Sequence, residues 1–365
     1  MHILFDISAH GLGHLAQAGP VIEQFATRRP ACDLTVRTGL DREILQRRIA
    51  APFSYQRSED DFGLVMATSF VVDRPATARR YVELHARFDR AVDALAAKML
   101  TARVDMVVAN VGYLSLAAAQ RAGLRNLAFS SINWRDVVRH YCANEPGVGP
   151  VLIEMEACYR RCDAFLRLVP GTAMGEFETT PVDSLVVSVG ADRRRELRAR
   201  LGLGPEQIAI AFSFTDGERQ PPPSFSAADA RNILCVGPRI WAGRPAWISF
   251  EEAGLPFVDL VRSVDLIVAK PGYGIVTEAA CAGAPTLLLP RDDWPETSAT
   301  SEWHQRHGRF ETTQTPLPSL SAHELIEAHA RLSAKQTSGP LRTDGAETIA
   351  LTIAALLDQL IHVGA

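Results

Sequence analysis

The stretch that decides the fold is residues 264–280, which read VDLIVAKPGYGIVTEAA. Its apolar run, 266–269, predicts a buried strand, the glycines Gly272 and Gly274 predict a tight turn, and residues 274–282 have helical periodicity. In parallel α/β sheets, ligands bind in the loops that leave the carboxyl ends of strands and enter helices. The stretch therefore predicts one strand–turn–helix unit of a parallel sheet, with a binding loop between its strand and its helix.

The same alternation of apolar runs and helical segments extends along the chain. Strands are predicted at 2–7, 34–37, 106–109, 126–130, 165–168, 208–212, 232–236, 266–269 and 285–289. Helices are predicted at 16–27, 76–100, 114–122, 192–201, 274–282 and 345–361. Strands that are apolar throughout are covered on both faces. The pattern therefore predicts an α/β fold of doubly wound parallel sheets.

The length of 365 residues suits two such sheets better than one. The strand–helix pattern restarts near residue 205, after a hinge-like, proline-bounded stretch at 170–181. We therefore predict a Rossmann-like domain at 1–180 and a second one at 181–345. A last helix, at 346–365, follows the second sheet and could cross back to the first domain.

Composition excludes several classes of protein. The net charge of −4 offers no basic surface for nucleic acid, so no nucleic-acid partner is expected. The chain has no uninterrupted run of 18 apolar residues and opens directly into a strand, so we expect a cytoplasmic protein without an integral membrane segment. The six cysteines have no metal-site or disulfide spacing, and reduced structural thiols are expected.

The first binding loop is expected at residues 8–14, which read SAHGLGH. Gly11 and Gly13 let the backbone approach a ligand, and the amides at a helix start favour an anionic group. His14 falls at the start of the first helix, where it is a candidate for proton transfer. The alternative is a histidine that caps or packs that helix.

The second binding loop is the glycine turn of residues 270–274. Amides near Gly272 and Gly274 can receive a diphosphate, and Glu278, predicted in the first helical turn, can accept hydrogen bonds from ribose hydroxyls. The alternative is an exposed glutamate that favours the helix dipole.

A third loop, residues 290–296, reads PRDDWPE and follows a predicted strand. Its carboxylates, with an arginine and a tryptophan, suit hydrogen bonding to sugar hydroxyls and stacking on a sugar ring. Metal binding is disfavoured, because no histidine or second acidic cluster completes a site. A glycosidase pair is disfavoured, because these acids share one loop. No metal and no cofactor are expected.

Taken in order, these segments resemble the GT-B glycosyltransferases. Among them the chain is most similar to the N-terminal, glycosyltransferase-like region of plant arabinokinases and their bacterial relatives. The matching segments are 10–14, 132–134, 167–171, 270–274 with Thr277 and Glu278, and 290–292 with Glu296. They span nearly the whole chain, and none of them resembles the kinase half of the plant enzyme.

The resemblance implies an acceptor-side first domain, whose reaction centre is faced by Gly11, Gly13 and His14, and a second domain that binds a nucleotide sugar. The residues expected to contact that donor are Gly11, Gly13, Thr215, Lys270, Gly272, Tyr273, Gly274, Thr277, Glu278, Arg291, Asp292 and Glu296. Within this set, Asp292 and Glu296 are expected at the transferred sugar. One departure is the loop 212–217, FSFTDG, where the family has a glycine-rich turn. Bulky Phe214 and anionic Asp216 suit a diphosphate less well.

The function expected from this resemblance is metal-independent, inverting transfer of a hexosyl or pentosyl group. The donor is a nucleotide sugar, with uridine diphosphate preferred, and the acceptor is a hydroxyl of a small molecule or glycan. His14 is the candidate base, since an ordinary histidine pKa of about 6.5 suits neutral pH. Two alternatives stay open: a non-catalytic nucleotide-sugar sensor, and a GT-B isomerase or hydrolase such as a nucleotide-sugar epimerase.

Overall fold

A computed structural model describes residues 1–218, 220–337 and 339–363, with only the backbone of the last three. Its strands are β1 (His2–Ile7), β2 (Asp33–Thr38), β3 (Ser54–Arg57), β4 (Met106–Asn110), β5 (Arg125–Ser130), β6 (Ala164–Leu168), β7 (Thr180–Val182), β8 (Ile208–Ser213), β9 (Ile233–Gly237), β10 (Trp247–Ser249), β11 (Leu266–Ala269), β12 (Thr286–Leu288) and β13 (Phe310–Thr312).

The helices alternate with these strands. They are α1 (Gly13–Arg28), α2 (Arg42–Gln46), α3 (Arg74–His85), α4 (Phe88–Thr101), α5 (Tyr113–Arg121), α6 (Trp134–Cys142), α7 (Val148–Arg160), α8 (Arg194–Leu201), α9 (Phe250–Ala253), α10 (Phe257–Ser263), α11 (Tyr273–Ala282), α12 (Thr297–His307), α13 (Ala322–Ser333) and α14 (Gly345–Val363). None of the helices in the described residues has both the length and the apolar character needed to cross a membrane.

Two parallel sheets form, as the sequence predicts. The seven-stranded sheet has the order β3-β2-β1-β4-β5-β6-β7, and the six-stranded sheet has the order β10-β9-β8-β11-β12-β13. Every strand pair within them is parallel. The strand order reverses between β1 and β4 in the first sheet and between β8 and β11 in the second. These are the positions at which doubly wound sheets bind ligands, beyond the carboxyl ends of the strands.

Backbone contacts divide the chain into two compact units. Unit 1 contains 1–67, 71–187 and 342–365, and unit 2 contains 68–70 and 188–341. The predicted boundary at residue 180 falls within β7 of the first sheet, and the contact division falls after Val187. Helix α14 belongs to unit 1, where it packs against α1 and forms an ion pair between Arg29 and Asp358 at 2.6 Å. Residues 364 and 365 of the predicted last helix lie outside the described residues.

Two local predictions need correction. The helix expected at 76–100 is two helices, α3 and α4, because Arg87 adopts φ −127° and ψ 19°, outside the helical region. Helix α11 begins at Tyr273 after the cap residue Gly272, so Glu278 is its sixth residue and lies in the second turn rather than the first.

Candidate functional site

In unit 1, the point of strand reversal lies between the ends of β1 and β4. The backbone amide of Ser8 donates to the Asn110 carbonyl at 2.8 Å, which joins the two strand ends. Gly11 turns the following loop with φ +75°, a conformation that favours glycine. No side chain caps the start of α1. The loop 8–13 therefore presents exposed glycines and open helix amides at this edge of the sheet, while His14 lies in the first turn of α1.

His14 is buried and makes a short hydrogen bond to the end of β4. Its Nδ1 lies 2.7 Å from Oδ1 of Asn110. The other side of the Asn110 amide, Nδ2, donates to the Phe129 carbonyl at 2.9 Å and to Oε1 of Gln17 at 3.0 Å. Because a carbonyl only accepts, the amide nitrogen must face Phe129, and the amide oxygen must face His14. Neutral His14 therefore carries its hydrogen on Nδ1 and has a lone pair on Nε2.

The hydrogen-bonded chain continues beyond Asn110. Gln17 accepts from Asn110 through Oε1, which orients its amide, so its Nε2 donates to Oγ of Ser131 at 2.9 Å. Asn110, Gln17 and Ser131 are all buried. Buried polar side chains that satisfy one another in this way hold a single arrangement. The tautomer of His14 is therefore fixed by the Phe129 carbonyl through Asn110, and no carboxylate takes part.

Burial also sets the charge of His14. It lowers the pKa from 6.5 to about 4, and the hydrogen bond with Asn110 opposes that shift only in part. The ordinary pKa assumed from the sequence is therefore wrong for this environment. His14 is neutral at pH 7, and its Nε2 is unprotonated there.

Trp134 lies behind both histidines of the first loop. Its ring centroid is 5.6 Å from that of His14 and 5.4 Å from that of His10. A Cβ placed on Gly63 would lie 2.6 Å from His10 and 2.7 Å from Trp134, so only glycine fits there without displacing these rings. Trp134 thus brings the segment 132–134, one of the segments that carry the resemblance, into contact with the first loop.

A cluster of acids near this loop was not predicted from the sequence. Asp6 on β1 and Arg37 on β2 form a buried ion pair at 2.9 Å, and Arg37 also pairs with Asp60. Burial raises the pKa of the adjacent Asp61 to about 7, and the carboxylate of Asp6 adds to the rise. The cluster thus holds one carboxyl group that titrates near neutrality.

In unit 2, the loops that follow β8 and β11 meet through Lys270 and Glu218, which form an ion pair. Glu218 also accepts a hydrogen bond from the backbone amide of Thr215 at 3.2 Å. The ammonium group of Lys270 lies 5.7 Å from the ring centroids of both Phe70 and Phe214. Desolvation lowers the pKa of Lys270, and Glu218 opposes that shift. Lys270, predicted to contact the donor, is therefore already paired with a carboxylate.

The structure explains why the loop 212–217 differs from the glycine-rich turn of the family. Phe214 is buried in the core of unit 2 and packs on Trp241 with ring centroids 5.5 Å apart. Asp216 is exposed and accepts a hydrogen bond from the amide of Ile240 at 3.1 Å. Phe214 therefore occupies the core rather than the space above the loop.

The glycine turn after β11 leaves the start of α11 open. Gly272 caps this helix without a side-chain hydrogen bond, and a Cβ there would meet no atom within 4 Å. Tyr273, Gly274, Thr277 and Glu278 are buried in the helix. The hydroxyl of Thr277 donates to the Tyr273 carbonyl at 2.9 Å, so its hydrogen is used within the helix, and a ligand contact by Thr277 stays a prediction.

The third loop, after β12, is divided between exposed and buried side chains. Asp292 is exposed, whereas Trp294 and Glu296 are buried. The guanidinium carbon of Arg291 lies 3.9 Å above the ring of Trp294, a cation–π contact that fixes the arginine. Among the residues that the structure describes, no group of three or more histidine, cysteine or acidic side chains is placed to hold a metal ion.

Asn110, Gln17 and Glu218 complete these sites but were not predicted. Asn110 had one signal in the sequence, since it is the polar residue that ends an apolar strand. Gln17 and Glu218 had none, because a buried glutamine in a helix and a glutamate in a loop do not reveal their partners.

The chain is similar to known proteins both in sequence and in structure. Over 308 residues the chain is 24% identical to L-arabinokinase from Arabidopsis thaliana; the match covers 81% of this chain and 29% of the plant protein. A UDP-glucosyltransferase from Polygonum tinctorium has a similar structure, with a TM-score of 0.56, 13% identity, and 96% and 97% of the two chains covered. The chain has a GT-B fold. No protein-family model matches it.

A second solved structure with this fold is named for a different activity. A protein from Listeria monocytogenes described as a UDP-N-acetylglucosamine 2-epimerase has a TM-score of 0.57 and 13% identity, and the match covers 98% of this chain and 97% of that one. At these identities the likeness establishes the fold alone. What this GT-B chain does must be argued from its own residues.

Proposed function

We propose that this chain transfers a sugar from a nucleotide-sugar donor, with uridine diphosphate as the preferred nucleotide, to an acceptor hydroxyl. The observation that carries the proposal is His14, held neutral with a free lone pair on Nε2 at the strand reversal of unit 1. A neutral histidine with one fixed tautomer can take the proton of an attacking hydroxyl. The glycosyltransferase and the epimerase that share the fold both have UDP in their names, which supports the choice of nucleotide.

The donor is proposed to bind unit 2 at the strand reversal between β8 and β11. The open amides at the start of α11, around Gly272, suit a diphosphate, and would stabilise the charge of the leaving group. Glu278 is the proposed ribose contact, and Asp292 and Glu296 are the proposed contacts to the sugar. Lys270 is a further proposed donor contact, and its ammonium group is paired with Glu218.

We further propose that the reaction inverts the anomeric centre and needs no metal ion. With His14 as base, the acceptor oxygen attacks in a single displacement while the nucleoside diphosphate leaves from the opposite face. Activity should survive EDTA. Complete loss in EDTA, restored by a divalent ion, would contradict this part of the proposal.

The test of the donor site is calorimetry with UDP and a panel of UDP-sugars. Replacing Glu278 by Ala should weaken UDP binding by about 1.5 to 3 kcal/mol, the range for hydrogen bonds to a charged group. The matched control is Glu206→Ala, which removes an exposed glutamate of the same unit. Unchanged UDP affinity in Glu278→Ala would remove Glu278 from the site.

The second candidate is a nucleotide-sugar epimerase, favoured by the Listeria relative of the fold. The two candidates differ in their need for an acceptor. An epimerase converts the donor sugar when no acceptor is present, whereas a transferase releases the nucleoside diphosphate with an acceptor. A chain that binds the donor and does neither would be a sensor.

A further inference from the structure

A cavity of about 330 Å³ lies at the amino-terminal edge of the unit 2 sheet. Its walls include Asp265, Pro285 and Arg309, which immediately precede β11, β12 and β13. The loops proposed to bind the donor follow the carboxyl ends of β8, β11 and β12. The cavity and the donor loops are therefore at opposite edges of the same sheet, and the cavity has no part in the proposed transfer.

Arginines dominate the charges around this cavity. Arg194, Arg262 and Arg309 line it, against the acids Asp192 and Asp265. Of the two acids, Asp265 is already compensated, and Asp192 is exposed. The lining is therefore net positive.

Asp265 is fully engaged by its neighbours. It forms an ion pair with Arg194 and lies 3.4 Å from Nη1 of Arg198. It also accepts a hydrogen bond from the backbone amide of Ala209 at 2.8 Å. The Asp265 carboxylate therefore needs no further cation, and its pairing uses Arg194 but neither of the other two arginines of the cavity.

Arg262 and Arg309 have no such compensation. Within residues 1–218, 220–337 and 339–363, neither guanidinium group has a carboxylate within 4.0 Å, and the Nε of Arg309 is enclosed without a hydrogen-bond partner. Arg262 donates from Nη1 to the Gly190 carbonyl at 3.3 Å. An enclosed N–H group without a partner is unfavourable. The Nε of Arg309 is too enclosed to meet a ligand, but an anion in the cavity would give both guanidinium groups the counter-charge that they lack.

We propose that this cavity binds a small oxyanion, either inorganic phosphate or the phosphate group of a small organic phosphate, through Arg262 and Arg309. The planar guanidinium group matches phosphate oxygens with paired N–H donors. The volume is at the lower end of the range for small-ligand sites, about ten water molecules at ~30 Å³ each. It suits a phosphate carrying a few further atoms and is too small for a nucleotide sugar.

The test is calorimetric titration with inorganic phosphate, at an ionic strength held constant with NaCl. Wild-type protein should show one saturable site. The variants Arg309→Gln and Arg262→Gln should each weaken binding by about tenfold or more, the effect of losing a charge-assisted hydrogen bond. The matched control is Arg195→Gln, which removes an exposed arginine next to Arg194 that does not line the cavity. Circular dichroism checks the fold of each variant.

Two further arms identify the ligand and its position. Glycerol 3-phosphate should bind more tightly than inorganic phosphate if the ligand is an organic phosphate, and more weakly if it is the free ion. Excess UDP should leave phosphate binding unchanged. The proposal is overturned if wild-type protein shows no saturable site, if Arg309→Gln binds phosphate like wild type, or if UDP abolishes the binding. None of these outcomes depends on whether the chain transfers a sugar.

Discussion

The Phe129 carbonyl can bind only the amide nitrogen of Asn110, so the amide oxygen of Asn110 faces His14. His14 therefore carries its hydrogen on Nδ1. One backbone carbonyl thus determines which nitrogen of a histidine is basic. A neutral partner also leaves the imidazolium without a nearby carboxylate, which is why burial lowers the pKa of His14 to about 4. The group is a weak base, but one that is unprotonated at every pH above about 5.

Replacing His14 by Ala should lower turnover by about 10² to 10⁴, the usual contribution of a general base. UDP affinity should hardly change. The melting temperature should also fall, because the substitution leaves Oδ1 of Asn110 buried without its donor. Turnover per folded molecule separates the two effects, and His140→Ala, an exposed histidine of the same unit, is the control. Normal turnover with a lower melting temperature would make His14 a structural residue.

Replacing Asn110 by Asp tests the charge of the base. In wild type the rate should fall only as the pH drops through about 4, where His14 becomes protonated. An aspartate beside Nδ1 stabilises the imidazolium, so the pKa of His14 should rise and the acid limb of kcat/KM should move to higher pH. A limb at the same pH in both proteins would show that a group other than His14 titrates.

At the scale of elements, the central strands were predictable and the edge strands were not. The strands β1, β4, β8 and β11 each contain a run of at least three apolar residues, because helices cover both of their faces. The strands β3, β7, β10 and β13 are short edge strands, and β3 is half-exposed, so they lack the apolar run that marks a central strand. The loops at the strand reversals were found because glycines marked them. The partners inside those loops depend on contacts between distant residues, which no local pattern contains.

The start of α11 gives a prediction that separates folding from binding. Gly272 has φ −162°, an extended conformation that any residue adopts, and its Cβ position is open. Gly272→Ala should therefore still fold, with a loss of stability of about 0.5 to 1 kcal/mol because alanine is a poorer helix cap than glycine. UDP affinity should fall by about tenfold if the diphosphate lies against the amides of this turn. Gly204→Ala, another glycine of unit 2 with open space around it, is the control. Equal UDP binding in both variants would place the diphosphate elsewhere.

At the scale of the whole molecule, each unit contains a buried group whose titration makes its stability depend on pH, and in unit 1 two such groups act in opposite directions. In unit 1 the folded pKa of His14 is below its unfolded value, so acid destabilises the fold, whereas the folded pKa of Asp61 is above its unfolded value, so acid stabilises it. The two effects oppose each other between pH 7 and 5. In unit 2, burial lowers the pKa of His304 to about 3, and this histidine stacks on Phe310 with ring centroids 4.4 Å apart.

The acid sensitivity of unit 2 should therefore depend on His304. Below its unfolded pKa of about 6.5 the unfolded chain binds a proton that the folded unit does not, so stability is lost as the pH falls from 7 toward 4. At pH 5 the loss should be about 2 kcal/mol, since each pH unit below 6.5 contributes about 1.36 kcal/mol. His304→Phe keeps a ring on Phe310 and removes the titration. The free energy of unfolding of this variant, minus that of wild type, should therefore grow by about 2 kcal/mol when the pH is lowered from 7.5 to 5. Urea unfolding at the two pH values measures the difference, with His140→Ala as the exposed control. If the stability difference between His304→Phe and wild type is the same at both pH values, His304 is protonated in the folded protein at pH 5, and its ring nitrogens have acceptors there.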